Sequence, residues 1–251
     1  TACRRQRQMC IRDSVCIEQL RQKIRRMERG YSNKERAAVS TGVEKLDNCL
    51  GGKGLRLGRV HEIINTGSTD AKDASSLGFA VALLVRILNV TNYNKRVLWC
   101  SGKKKVLNSQ LSATGLYWLG FDPNQLIQAN VLSEMDQYWV MEECLKCSEL
   151  AAVVIELAHA KPQFNNRESI VWRRLQLAAE SSGVTGFVLR SCANIMETTS
   201  SIPESRWGVK PLPSNDWRPM WKLELLKSRN GRYASVNVVW DPATSSFSLS
   251  S

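Results

Sequence analysis

The chain is 251 residues long with a formal net charge of +12, and 43% of its residues are hydrophobic against 23% charged. That balance excludes a disordered or fibrous protein and leaves room for one or two globular domains. The most apolar stretch, Leu77 to Val85, is nine residues long, whereas about 20 are needed to span a bilayer. No membrane association is expected, and the positive charge favours an acidic partner, with nucleic acid the first candidate.

No secretory pattern follows the opening Thr1-Ala2-Cys3-Arg4-Arg5, because no apolar run stands behind the arginines. Thr1 is not an initiator, so the natural start is expected upstream. Eight Cys are scattered through a chain large enough not to need disulfides, which favours a reducing cytoplasm.

Residues 1–36 hold eleven Lys/Arg against four Asp/Glu and read as a basic N-terminal helix and linker. Ile17, Leu20, Ile24 and Met27 recur at spacings of 3, 4 and 3, one apolar stripe among Arg21, Lys23, Arg25, Arg26 and Arg29. Such a stripe either packs on the rest of the chain or docks on a partner, a second copy or a duplex. Residues 37–251 read as a core domain. From Ala74 to Phe121 there is no Asp or Glu, while Lys103-Lys104-Lys105 follow a strand-like run. A charge triplet there is either a solvated turn or an anion contact at the sheet edge where α/β proteins bind ligands.

Within that core the spacing predicts strands over 59–64, 96–101, 126–132, 151–155 and 185–189. Helices are predicted over 74–90, 108–119, 134–147 and about 171–182, the last closed by Gly183. Strand–helix alternation with short connections implies a mainly parallel sheet with helices on both faces. Residues 193–219 hold four of the seven prolines and read as a long irregular segment. Met220–Lys227 and Tyr233–Trp240, split by Asn230-Gly231, read as a hairpin, and Ser246–Leu249 as a further strand.

The most informative stretch begins at Ser40-Thr41-Gly42, continues through Leu46-Asp47-Asn48-Cys49-Leu50-Gly51-Gly52-Lys53-Gly54, and leads into Arg59-Val60-His61-Glu62-Ile63. It resembles the opening of a RecA-type core, in which an S-T-G-x-x-x-L-D-x-x-L-G segment and a glycine-rich turn precede the strand before the phosphate loop. A working loop needs G-x-x-x-x-G-K-[ST], so that backbone N–H groups close on the phosphates, Lys reaches the β/γ oxygens and a hydroxyl holds Mg²⁺. The segment here is Asn65-Thr66-Gly67-Ser68-Thr69-Asp70-Ala71-Lys72. Asn65 and Asp70 take the glycine positions, Ala71 the lysine position and Lys72 the hydroxyl position. Asp70 adds like charge beside a polyphosphate. No acid near Ser101 supplies a water-orienting carboxylate, and Glu156 stands where a metal-side Asp is expected. Mg-ATP hydrolysis and a nucleotide cofactor are therefore not expected.

Further segments resemble the ImuA family of bacterial inducible-mutagenesis proteins: Gly120-Phe121-Asp122-Pro123, Tyr138 to Cys147, Leu150 to Leu157, Arg173 to Val184 with Leu189-Arg190, and Trp221 to Lys227 with Val239-Trp240-Asp241. The resemblance implies a RecA-like accessory factor of the SOS response. It would be cytoplasmic and nucleoid-associated, and would work in translesion synthesis with ImuB and, through it, a DnaE-type error-prone polymerase. RecA, a second copy and DNA are further implied partners. By the RecA analogy, the stretches after the fourth and fifth core strands would face DNA. These are Leu157 to Glu168 and Ser191 to Asp216. In the second, Arg206, Trp207 and Lys210, followed by Trp217 and Arg218, interleave cations with aromatics, a pattern that either binds phosphates and bases or anchors a loop over the sheet edge. Arg190 either contacts an anion or forms a structural ion pair. Two other activities stay open: a weak DNA-dependent ATPase using Lys72, Glu156 and Arg190, and a SulA-like inhibitor of cell division. Cys144 and Cys147 form a lone pair without the further ligands zinc needs and read as small buried residues. No metal site is expected.

Overall fold

The computed structural model describes residues 37–67, 74–91, 94–102, 111–157, 168–191, 203–229 and 231–250. The stripe Ile17, Leu20, Ile24 and Met27, the loop residues Ser68, Thr69, Asp70, Ala71 and Lys72, and the triplet Lys103, Lys104 and Lys105 lie outside them.

Strand β1 (Ala38–Val39) leads into helix α1 (Glu44–Cys49), and β2 (Leu55–Arg56) returns to pair antiparallel with β1. Asp47 accounts for the spacing of the Ser-Thr-Gly motif. Its Oδ1 accepts from the Thr41 main-chain N–H at 2.8 Å and from the Thr41 hydroxyl at 2.7 Å, and its Oδ2 from the Ser40 hydroxyl at 2.6 Å. Gly54 closes the turn at φ +88°, where a Cβ would run into the Val39 carbonyl, so a side chain does not fit.

Strand β3 (Val60–Asn65) is buried at all six positions, as expected of a strand covered on both faces. The almost wholly apolar α2 (Ser75–Val90) follows. Next come β4 (Arg96–Gly102), α3 (Ala113–Trp118), β5 (Leu126–Val131), α4 (Glu134–Leu145), β6 (Leu150–Leu157), α5 (Glu168–Ser182) and β7 (Thr185–Ser191). Ser133 caps α4 by accepting from the Asp136 N–H, which satisfies one of the donors a helix start leaves unpaired. The chain ends in β8 (Ser205–Leu212), β9 (Met220–Ser228), β10 (Ala234–Asp241) and β11 (Ser246–Leu249).

Nine strands form one sheet in the order β11-β10-β9-β8-β3-β7-β6-β4-β5. From β8 to β5 the neighbours are parallel, and from β8 to β11 they are antiparallel. Phe79 and Leu83 of α2 fill one face with Ile63, Trp207, Trp221, Trp240 and Phe247. Met141, Leu145, Trp172 and Leu175 from α4 and α5 cover Val60, Val153, Ile155 and Val188 on the other. Phe79 lies 5.6–6.1 Å, ring to ring, from Trp207, Trp221 and Phe247, so the C-terminal strands and α2 share one core. Among the described residues no helix is long and apolar enough to cross a membrane.

The expected parallel sheet, its two helical layers and the hairpin of β9 and β10 are present. The irregular stretch over 193–219 is corrected: Ser205–Leu212 is a strand pairing directly with β3. Pro203 and Pro211 read as breakers, yet one precedes the strand and the other is its penultimate residue, outside its ladder with β3.

Candidate functional site

In an open parallel sheet, ligands bind beyond the carboxyl ends of the strands, where successive connections leave in opposite directions. Here β3 connects to β4, three places away on one side, while β7 connects to β8 on the far side of β3. The divergence falls at Asn65, Thr66, Gly67 and Arg190, with Glu156 two strands away.

The described start of the loop is bound to protein. Thr66 donates its main-chain N–H to Val209 O of β8 at 2.9 Å, and its hydroxyl reaches the same oxygen at 3.2 Å. Gly67 donates its N–H to Asn65 Oδ1 at 2.8 Å. Asn65, 6% exposed, thus supplies a local acceptor that a glycine lacks. The two N–H groups nearest the end of β3, the kind a phosphate cradle would use, already have internal acceptors. Gly208 lets the loop start lie close to β8, since a Cβ there would stand 3.2 Å from Thr66 Cγ2.

Glu156 is turned toward β4. One carboxylate oxygen accepts from the Ser101 hydroxyl at 3.1 Å and from the Trp99 indole N–H. From α4, the buried Gln137 donates its amide to the Glu156 carbonyl at 2.5 Å. The group at the expected metal position therefore ties β4, β6 and α4 together.

Arg190 and Arg206 are not surface cations. Both guanidinium groups lie against Glu62, which is 2% exposed: Arg190 Nε is 2.8 Å from one carboxylate oxygen and Arg206 Nε 2.5 Å from the other. Arg190 also donates to the Tyr138 hydroxyl at 2.9 Å. The ion-pair alternative holds for Arg190, and Arg206 takes the same role. Nearby, burial and the Arg206 charge hold the Lys227 ammonium below its usual pKa. Trp207 is fully buried and donates its indole N–H to the Ser205 hydroxyl at 2.8 Å, so its ring is committed to the core and does not stack on bases.

Lys210 is exposed on β8. Arg218 is held 2.6 Å from Asp216, which raises its pKa. Beside it, Trp217 stands edge-on to Trp118 at 6.4 Å, both 63% exposed. Cys144 is half-buried and Cys147 exposed, which corrects the reading of both as buried. Among the described residues no three His, Cys, Asp or Glu gather as a metal site.

Glu62, Tyr138 and Gln137 were missed by reading motifs. The available signal was Glu62 itself, an acid in a six-residue strand that also holds Val60, Ile63 and Ile64. A carboxylate so placed needs buried cationic partners.

No family model matches the chain. Protein ImuA of Caulobacter vibrioides, in each of two strains, is 30% identical over 208 residues, an alignment that spans 77% of this chain and 80% of the relative.

Proposed function

The chain belongs to the ImuA family, and we propose that it serves damage-induced mutagenesis as a non-catalytic accessory protein on a RecA-type core. The observation that carries this reading is the internal pairing of Thr66 and Gly67, together with a loop sequence lacking Gly, Lys and Ser/Thr at their required places. The residues present do not fit Mg-ATP. The loop sequence carries Asp70 at a required glycine position and Ala71 at the lysine position, and Glu156 is bonded to Trp99 and Ser101. The strand order, with β3 between β7 and β8, supports the RecA-type reading. In this role the chain joins ImuB, and through it a DnaE-type polymerase, to damaged DNA, with RecA as a further contact. Lys103, Lys104, Lys105, Lys210 and Arg218 are its candidate phosphate contacts, whereas Arg190, Arg206 and Trp207 are buried and take no part.

Two measurements on the full chain test the proposal. Pull-down with purified ImuB is expected to retain it, and failure to bind removes the accessory role. Phosphate release from ATP with single-stranded DNA is expected to stay at background. Saturable turnover abolished by Lys72→Ala would make the protein an enzyme.

A further inference from the structure

The nine-stranded sheet ends at β5, and among the described residues no strand lies beyond it. A strand bonded on one side only directs alternate main-chain N–H and C=O groups outward, and proteins usually guard such an edge with charge, proline, a bulge or shortness. The opposite edge, β11, is four residues long. By contrast, β5 has six residues, Leu126-Ile127-Gln128-Ala129-Asn130-Val131, with neither charge nor proline. Apolar surface accompanies the open edge: Ile127 is 39% exposed, and Leu132, the next residue after the strand, 71%.

The order of these residues carries a second observation. About Ala129 the sequence from Leu126 to Leu132 is a palindrome of residue class. Gln128 mirrors Asn130, Ile127 mirrors Val131, and Leu126 mirrors Leu132. Two-fold association requires that residue i meet residue j while j meets i. Antiparallel copies of this strand, centred on Ala129, would put Ile against Val on one face. On the other face amide would meet amide and Leu would meet Leu. Side chains directly opposite each other are the unit of sheet stabilisation. A slip of one residue sets Ile127 opposite Asn130 and Gln128 opposite Ala129, so the pattern favours one register.

We propose that β5 is a self-pairing edge through which two copies of this chain join their sheets, antiparallel, about a two-fold axis at Ala129. The occupant is a second copy because the pattern is self-complementary and no charge on the strand meets its like. Stable interfaces bury at least about 1,200 Å². A seven-residue strand pair lies at or below that bound, so association at micromolar or weaker affinity follows. This self-association is separate from the accessory role and stands or falls apart from it.

Sedimentation of the full chain, with reductant present, over about 5–500 µM tests the pairing. The wild-type chain is expected to shift from monomer to dimer. Gln128→Lys with Asn130→Lys sets like charges opposite each other and is expected to weaken association at least about tenfold. Gln128→Glu with Asn130→Lys sets Glu opposite Lys across the same axis and is expected to restore it within about threefold, now with salt sensitivity. Both positions are exposed, so unchanged melting temperatures will show that the variants are folded. A wild-type chain that stays monomeric overturns the proposal. So does a double-lysine variant that associates as tightly as wild type, or a Glu/Lys variant that associates no better than the double lysine.

Discussion

His61 gives the fold a specific sensitivity to acid. The ring is 1% exposed in β3, with Nε2 2.8 Å from Arg56 O and Nδ1 2.7 Å from the Ser205 hydroxyl. A carbonyl only accepts, so Nε2 carries the proton. Nδ1 then accepts from Ser205, whose oxygen in turn accepts from the Trp207 indole at 2.8 Å. The neutral ring is satisfied at both nitrogens, while a second proton would need an acceptor where Ser205 acts as donor. Burial, opposed in part by the bond to Arg56, lowers the pKa from 6.5 to about 4. The unfolded chain therefore takes up this proton first as the pH falls. The stability is fully present above about pH 6.5, declines between 6.5 and 4, and is gone below. Two and a half pH units at about 1.4 kcal/mol each give roughly 3–4 kcal/mol in all, of which about 2 kcal/mol is lost between pH 7 and 4.5. The assay is urea unfolding of the wild type and of His61→Asn at both pH values, followed by tryptophan fluorescence. The carboxylates titrate in both proteins, so the difference between their pH slopes isolates His61. Equal slopes would refute the assignment.

Glu62→Gln leaves two buried guanidinium groups without their counter-charge and is expected to cost about 3–5 kcal/mol; an unchanged urea midpoint would contradict the buried triad. Gly54→Ala forces a Cβ into the Val39 carbonyl at positive φ and should destabilise by more than about 1 kcal/mol, measured as a fall in melting temperature. Trp240 is fully buried, its indole N–H donating to Leu119 O at 3.1 Å. Trp240→Ala should therefore cost about 3–5 kcal/mol, whereas the exposed Trp217→Ala should stay within about 0.5 kcal/mol while altering the near-ultraviolet dichroism of its pair with Trp118.

What the sequence disclosed followed physical repetition. The apolar run of β6, the glycine closing α5, and the Asn-Gly between β9 and β10 each carry a local signal, and the elements lie within a few residues of their expected bounds. Asp47 was visible as part of a motif, but its three hydrogen bonds to Ser40 and Thr41 needed coordinates. β8 was hidden because its strand character comes from lying between β3 and β9, over prolines that locally suggest a loop. The partner of the buried cations was hidden for a related reason. Arg190 and Arg206 look like ligands in one dimension, and only the β3–β7 and β3–β8 registers bring them to Glu62.

The central position of β3 also sets when this protein can fold on the ribosome. Val60 pairs beside Gly186 and Glu62 beside Arg206, so neither flank of the strand exists until much of the chain has been made. At roughly 5–20 residues per second, a strand that is buried at all six positions in the finished fold waits on the order of ten seconds for its neighbours. Nascent chains halted before the second flank emerges would keep that strand uncovered, a target for chaperones and proteases, so the time of synthesis itself limits how soon the finished molecule can accumulate.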